Sequence, residues 1–327
     1  MKILIATPAS RNSTRGNRVT ANRYSALLVK AGFHVVTVDS RNLTEISQSG
    51  YDVLIALHAG HSSAAIRSFR IANPKAAVVV VITGTDINRD LNRSPESYVH
   101  KKVTRSLSLA DRIVVLQPLA ATRIPRKWRN KVAVVHQSCS PLEKLPAKYK
   151  NRFSVVVSGH LRAVKDPFRA VLAARMLPES SKIHVTQIGR PLTAGMKQRA
   201  EQLVASELRY SFRNSLTHRK AVLEMARSDL LVNASSQEGA PMAVIEAIVN
   251  GVPVLLSRID AHVGLVGSRY SGLFEFGDTK GLASLMLRAE NDRKFYDRLC
   301  RQCEAIKPQF EPVLELRLWR KLLNELR

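Results

Sequence analysis

DLLVNASSQEGAPMAVIEAIVNGVPVLLS, residues 229–257, decides the fold. Its two ends, DLLVNAS and GVPVLLS, are short apolar runs of the composition found in strands buried on both faces. Between them SQEGA reads as a loop. Pro241 suits the first helical position, where its missing N–H costs nothing. AVIEAIV then continues as a helix and stops at Asn250-Gly251. Strand, helix and strand in this order predict a parallel sheet covered by helices.

The same alternation extends outward. FSVVVSG and KIHVTQIG read as further strands, with helices over PFRAVLAARML and HRKAVLEMAR. In the first half KILIAT, HVVTVD, DVLIAL, AVVVVI and RIVVLQ read as strands. Helical spacing covers NRVTANRYSALLVKAG, which ends at Gly32, as well as AAIRSFRIAN and SYVHKKVTRSLSLA. The pattern breaks at SPLEKLPAKYKN, residues 140–151, a linker with two prolines and three lysines. We therefore expect an α/β protein of two Rossmann-like domains, residues 1–145 and 146–307. EPVLELRLWRKLLNELR forms a terminal amphipathic helix within 308–327, suited to packing and also to an anionic membrane face.

The chain has 327 residues, 45% of them hydrophobic, enough for two cores. Its 51 basic against 26 acidic side chains give a net charge of +25, so its partners are anions: nucleic acid, an acidic membrane, or phosphorylated small molecules. With aromatics at only 6% and no basic patch interleaved with them, single-strand stacking is disfavoured. Three sparse cysteines, Cys139, Cys300 and Cys303, argue against a disulfide framework and for a reducing cytoplasm. Cys300 and Cys303 have no partner pair for a zinc site. The N-terminus lacks a signal-peptide pattern, and AAVVVVI, the longest apolar run, falls far short of a membrane span.

In open parallel sheets ligands bind beyond the carboxyl ends of the strands, and two such sheets facing each other make a cleft. The residues just after each strand are therefore the candidates. Strand one leads from Thr7 into Gly16, Asn17, Arg18 and Arg23, with Arg11 and Arg15 between; a helix start near Asn17 adds N–H donors for an anion. His58 and His61 follow strand three, and Thr83, Thr85 and Asp86 follow strand four. The plain alternatives are a solvated basic loop and a turn with an Asx-type cap. Arg162 and Lys165, after Gly159, suit a diphosphate, the arginine bidentately and the lysine as a point charge. Glu238 precedes a helix start, where a carboxylate is often only a dipole partner. Gly239 permits close backbone approach to a ligand, with the N–H groups of Ala240, Met242 and Ala243 beside it. Glu246 lies among Val, Ile and Ala and needs a partner such as a hydroxyl.

GHLRAVK, EGAPMAVIE and NGVPVLLS together resemble the retaining glycosyltransferases of the GT-B fold, the GT4-like group that includes sucrose-phosphate and glycogen-type synthases. The resemblance covers nearly the whole chain. It implies that Glu246 bonds the ribose hydroxyls of a nucleotide. Glu238 and the N–H groups of Gly239, Ala240, Met242 and Ala243, around Pro241, would hold the sugar. Arg162 and Lys165 would neutralise the departing diphosphate, Gly189 and Arg190 would border the base, and the last helix would cross back to the first domain.

A narrower resemblance is carried by TPASRNSTRGNRVTANRYSALL, ALHAGHS, TGTDINRD, VVLQP, GHLRAVKDPFRAVLAAR and SRIDAHVGLVG. These are similar to the selenosugar synthases of selenoneine biosynthesis, which join selenophosphate to a UDP-sugar, typically UDP-N-acetylglucosamine. The loop here reads EGAPM where that group has EGGAN-like loops, which leaves the donor sugar open. This resemblance implies a selenophosphate site formed by Thr7, Gly16, Asn17, Arg18, His61, Thr85 and Asp86. Most relatives place a histidine where Thr85 and Asp86 stand. A selenophosphate anion needs no base to deprotonate it, and Asp86 would position the water that cleaves P–Se. No metal or cofactor is expected, since no DxD follows a strand. A conventional lipid or small-molecule hydroxyl acceptor is the alternative, and a non-enzymatic nucleic-acid binder a second one.

Overall fold

A computed structural model describes residues 1–10 and 16–326. The chain divides into two compact units, one of Met1–Gln137, Glu238–Ala240 and Pro312–Arg327, the other of Ser138–Gln237 and Pro241–Glu311.

The first unit is built on six parallel strands: β1 Lys2–Thr7, β2 His34–Asp39, β3 Val53–Leu57, β4 Ala77–Val81, β5 Arg112–Val115 and β6 Val132–Val134, in the order β2-β1-β3-β4-β5-β6. β3 and β4 are buried at every position, which is why they read as unbroken apolar runs. On one face Phe69, Val103 and Leu107 from the covering helices, with Ile124 just beyond the end of another, pack against Leu4, Leu54 and Val80. On the other face Tyr24 and Leu28, from helix Gly16–Lys30, meet Trp319, Leu322 and Leu323, from helix Pro312–Asn324. Tyr24 and Trp319 stack edge to face with centroids 5.0 Å apart. Beside them Arg23 is paired with the buried Glu315. The strand order reverses between β1 and β3, so Thr7 and His58, at the ends of those strands, sit at the switch point where ligands of such sheets bind.

The second unit repeats the plan with β7 Phe153–Ser158, β8 Ile183–Ile188, β9 Tyr210–Arg213, β10 Leu230–Asn233, β11 Val254–Ser257 and β12 Leu273–Phe274, in the order β12-β11-β10-β7-β8-β9. The stretch 229–257 forms β10, helix Met242–Val249 and β11, and the strands pair in parallel with Leu231 opposite Val254. Residues 140–151 carry neither helix nor strand.

Two readings need correction. The strands β6, β9 and β12 went unforeseen; all three are edge strands of two to four residues, paired on one side only, so no sustained apolar run marks them. Pro241 is the residue before the helix, with φ −73° and ψ 110°, and not its first helical residue.

Candidate functional site

In the second unit the loops after β7 and β8 are pressed together. Gly159 and Gly189 have φ of +151° and +143°, and a Cβ on Gly189 would stand 2.0 Å from the Gly159 carbonyl oxygen. Leu161 N–H donates to the Arg190 carbonyl at 3.0 Å. The next residues form a short 3₁₀ turn, Ala163–Lys165, closed by Asp166 in the left-handed region at φ +41°. Asp166 holds Arg169 through a 2.7 Å bond. The Ser236 N–H and hydroxyl both donate to the Val164 carbonyl, at 2.9 and 3.2 Å. Arg162 and Arg190 are exposed and Lys165 is half-buried. Backbone bonds thus bring together the loops bearing Arg162, Lys165, Gly189 and Arg190, and tie the first of them to Ser236. This cationic array is suited to a diphosphate.

Helix Met242–Val249 buries almost every side chain, Glu246 included, at 8% exposure. The partner its carboxylate requires is not a hydroxyl but His218, whose Nε2 lies 2.7 Å from Oε1. His218 opens the helix His218–Arg227, capped by Thr217. The bond to Glu246 raises the His218 pKa above the ordinary histidine value, against the effect of burial. Sequence reasoning missed His218 because a residue 28 positions away on another helix leaves no local signal.

In the first unit Asp86 is fully buried, and its carboxylate is spent inside the protein. Oδ1 accepts from the Gly60 N–H at 3.2 Å and lies 2.8 Å from His58 Nδ1. Oδ2 accepts from the N–H groups of Ala59 and Thr83, at 3.2 and 2.9 Å, and from the Thr83 hydroxyl at 3.0 Å. Burial pushes its pKa up, but the bond to His58, the charge of that ring and the N–H groups of Thr83 and Gly60 prevail and leave it below the ordinary value. The expectation that Asp86 positions a water is therefore corrected: it has no surface to offer one, and its role is to fix His58 and the turn after β4.

His58 itself has φ +67°, and its ring lies 4.1 Å from that of the exposed His61. Burial, and then His58, push the His61 pKa down. His58, Asp86 and Asp90 bring ligand atoms within 4.8 Å of one another, close enough for a metal. The oxygens of Asp86 are already occupied, however, and Asp90 Oδ1 accepts from Arg89 Nε at 2.8 Å, so the cluster is self-satisfied and fits a metal poorly.

Residues Glu238–Ala240, which belong to the first unit, lie against the turn after β4. Asn88 Nδ2 donates to the Glu238 carbonyl at 3.0 Å, and Gln137 Nε2 to the Ala240 carbonyl at 3.3 Å. A Cβ on Gly84 would meet Gly239 N at 2.7 Å, so Thr85 and Glu238 sit on backbones in direct contact. At the switch point Thr7 is fully buried, Gly16 and Asn17 begin the first helix, and Arg18 is 8% exposed, its charge helping to depress the Asp39 pKa after the larger effect of Arg41. Arg11 and Arg15 lie outside the described residues.

Two parallel six-stranded sheets flanked by helices define the GT-B fold of glycosyltransferases, and solved structures agree across nearly the full chain. Anabaena Alr3699/HepE, solved with UDP and glucose, covers 99% of this chain and 100% of its own at a TM-score of 0.76 and 17% identity. Sucrose-phosphate synthase from Thermosynechococcus elongatus covers 99% and 98% at a TM-score of 0.80 and 15% identity. Residues 143–304 match the family described as glycosyl transferases group 1, and Arg162, Lys165, Gly189, Arg190, Glu238 and Glu246 all lie within the matched segment. An Escherichia coli relative, UDP-Gal:alpha-D-GlcNAc-diphosphoundecaprenol alpha-1,3-galactosyltransferase, is 25% identical over 162 residues, 46% of this chain and 40% of its own. The match thus spans less than half of that protein. Among the described residues no helix is long and apolar enough to cross a membrane.

Proposed function

We propose that the protein is a UDP-sugar-dependent glycosyltransferase whose acceptor is selenophosphate. The observation that carries the donor half is the array Arg162, Lys165, Arg190 and Ser236, whose loops are joined by backbone bonds inside the glycosyl transferases group 1 segment, which also contains Glu246. In this reading residues 146–307 take the donor. Glu246 receives the ribose hydroxyls, and Gly189 and Arg190 border the base. Arg162 and Lys165 hold the diphosphate, and Glu238, with the N–H groups of Gly239, Ala240, Met242 and Ala243, holds the sugar, which the narrower resemblance makes N-acetylglucosamine. Residues 1–145 take the acceptor through Thr7, Gly16, Asn17, Arg18, His61 and Thr85.

The chemistry runs in two steps. Selenium attacks the anomeric carbon, a C–Se bond forms, and the C–O bond to UDP breaks with its electron pair on the departing diphosphate. Water then cleaves P–Se, giving phosphate and the 1-selenosugar. The nucleophile arrives as an anion, which is consistent with Thr85 at the end of β4 and with an Asp86 that has no free lone pair for base work. Selenophosphate-dependent release of UDP from UDP-N-acetylglucosamine, with the selenosugar identified by mass, tests the reading. UDP release without selenium dependence would overturn it.

A second reading, transfer to a hydroxyl on a lipid diphosphate, is favoured by the acceptor in the name of the E. coli relative. It shares every donor residue and predicts a glycolipid product with such an acceptor and no selenosugar.

A further inference from the structure

His218 lies at the surface of the second unit. Its side chain is 74% exposed, yet it makes a 2.7 Å bond to a carboxylate that shows solvent only 11% of its own side-chain surface. A buried carboxylate would normally be paired from within the core. Here the partner is an exposed ring at the surface, so a hydroxyl coming from solvent meets the carboxylate where His218 already stands.

We propose that His218 is a positioning residue that caps Glu246 in the nucleotide-free protein and is displaced by the donor's ribose hydroxyls, so that nucleotide binding weakens as the cap tightens in acid. This rests on the reading of Glu246 as the ribose partner. Two observations support it beyond the contact itself. First, the two elements packed most closely against its helix offer the ring no other charged partner among the described residues: β7 has no titratable side chain, and Glu246 is the sole titratable residue of helix Met242–Val249. On its own helix Arg219 and Lys220 are its neighbours, while Glu224 accepts the Tyr149 hydroxyl at 2.7 Å. Second, the bond to Glu246 raises the His218 pKa, so the charged pair persists to higher pH than a free histidine would allow. The sign follows. Below the raised pKa an imidazolium–carboxylate pair must be broken to admit the ribose. Above it only a neutral hydrogen bond is lost. Exposed ion pairs of this kind shift equilibria by about fivefold at most.

The test is the affinity of UDP relative to 2′,3′-dideoxy-UDP, which carries the same phosphates and no ribose hydroxyls, measured at pH 6 and pH 8. In the native protein the preference for UDP should be about fivefold larger at pH 8 than at pH 6. His218→Ala should make the preference independent of pH and tighten UDP binding at pH 6. His218→Gln, which keeps a neutral donor, should also be pH-independent, with UDP binding at pH 6 between that of His218→Ala and native protein. The proposal is overturned if His218→Ala retains the native pH dependence or weakens UDP binding at both pH values. If the native protein does not distinguish the two nucleotides, and Glu246→Ala binds UDP normally, the ribose reading itself is wrong and takes the cap with it.

Discussion

Asp86 Oδ1 and His58 Nδ1 stand 2.8 Å apart with both side chains sealed from solvent, at 0% and 4% exposure. The same carboxylate gathers three backbone N–H groups from two loops. Asp86→Asn places an amide N–H among these donors. Leaving buried donors unmatched costs about 1–3 kcal/mol each, so a loss of about 3 kcal/mol is expected. A thermal melt should show the transition lowered by roughly 6–12 °C, at 2–4 °C per kcal/mol for a unit of this size.

The depressed Asp86 pKa fixes the sign of a pH effect. A carboxyl whose folded pKa lies below its unfolded value adds stability that is fully present above about pH 3.9 and is lost as pH falls through the folded value. Acid titration of stability should therefore be shallower in Asp86→Asn than in the native protein below about pH 4.

Gly84 touches Gly239 backbone to backbone, so the neighbour of an added methyl group has no side chain to swing aside. Gly84→Ala should displace the Glu238 backbone while leaving Glu246 and its surroundings alone. Misplacement of a binding group by about 1 Å costs up to roughly 100-fold in rate. Steady-state kinetics should show that loss in kcat, with UDP affinity nearly unchanged.

Arg23 and Glu315 form a pair in which the carboxylate is fully buried. Removing one partner strands the other, at about 3–5 kcal/mol, whereas replacing both with apolar residues of similar size is often neutral. Denaturant melts of Glu315→Ala, Arg23→Met and the double variant Arg23→Met/Glu315→Leu should show two destabilised single variants and a double variant closer to native than the sum.

Arg162→Ala and Lys165→Ala should each lower kcat by about 10²–10³-fold, the usual cost of removing one group that stabilises developing charge. A chelator should leave turnover intact, because in the proposed scheme Arg162 and Lys165 supply the charges that face the diphosphate. Loss of activity on chelation, restored by a divalent cation, would refute the metal-free scheme.

How much of this was legible in the sequence depended on whether a residue's environment is set by its neighbours in the chain. The apolar runs of β3 and β4 announce strands covered on both faces, and Gly32, with φ +88°, marks the end of the first helix. The loop residues Arg162, Lys165 and Arg190 could be placed at strand ends for the same reason. Glu246 could be seen to need a partner, but not which one, because His218 reaches it across two helices. Asp86 was placed at the end of β4 correctly, yet the direction of its side chain depends on N–H groups of Ala59 and Gly60, contributed by the turn after β3.

Trp319, Leu322 and Leu323, near the end of the chain, complete the apolar layer against which the first helix packs. On the ribosome this layer must wait: residues 1–137 emerge first, then the whole of the second unit, and only afterwards the side chains that close the first. A fragment ending before Pro312 would leave Tyr24 and Leu28 open to water, so chaperone dependence during synthesis should fall on the half of the protein that is translated first.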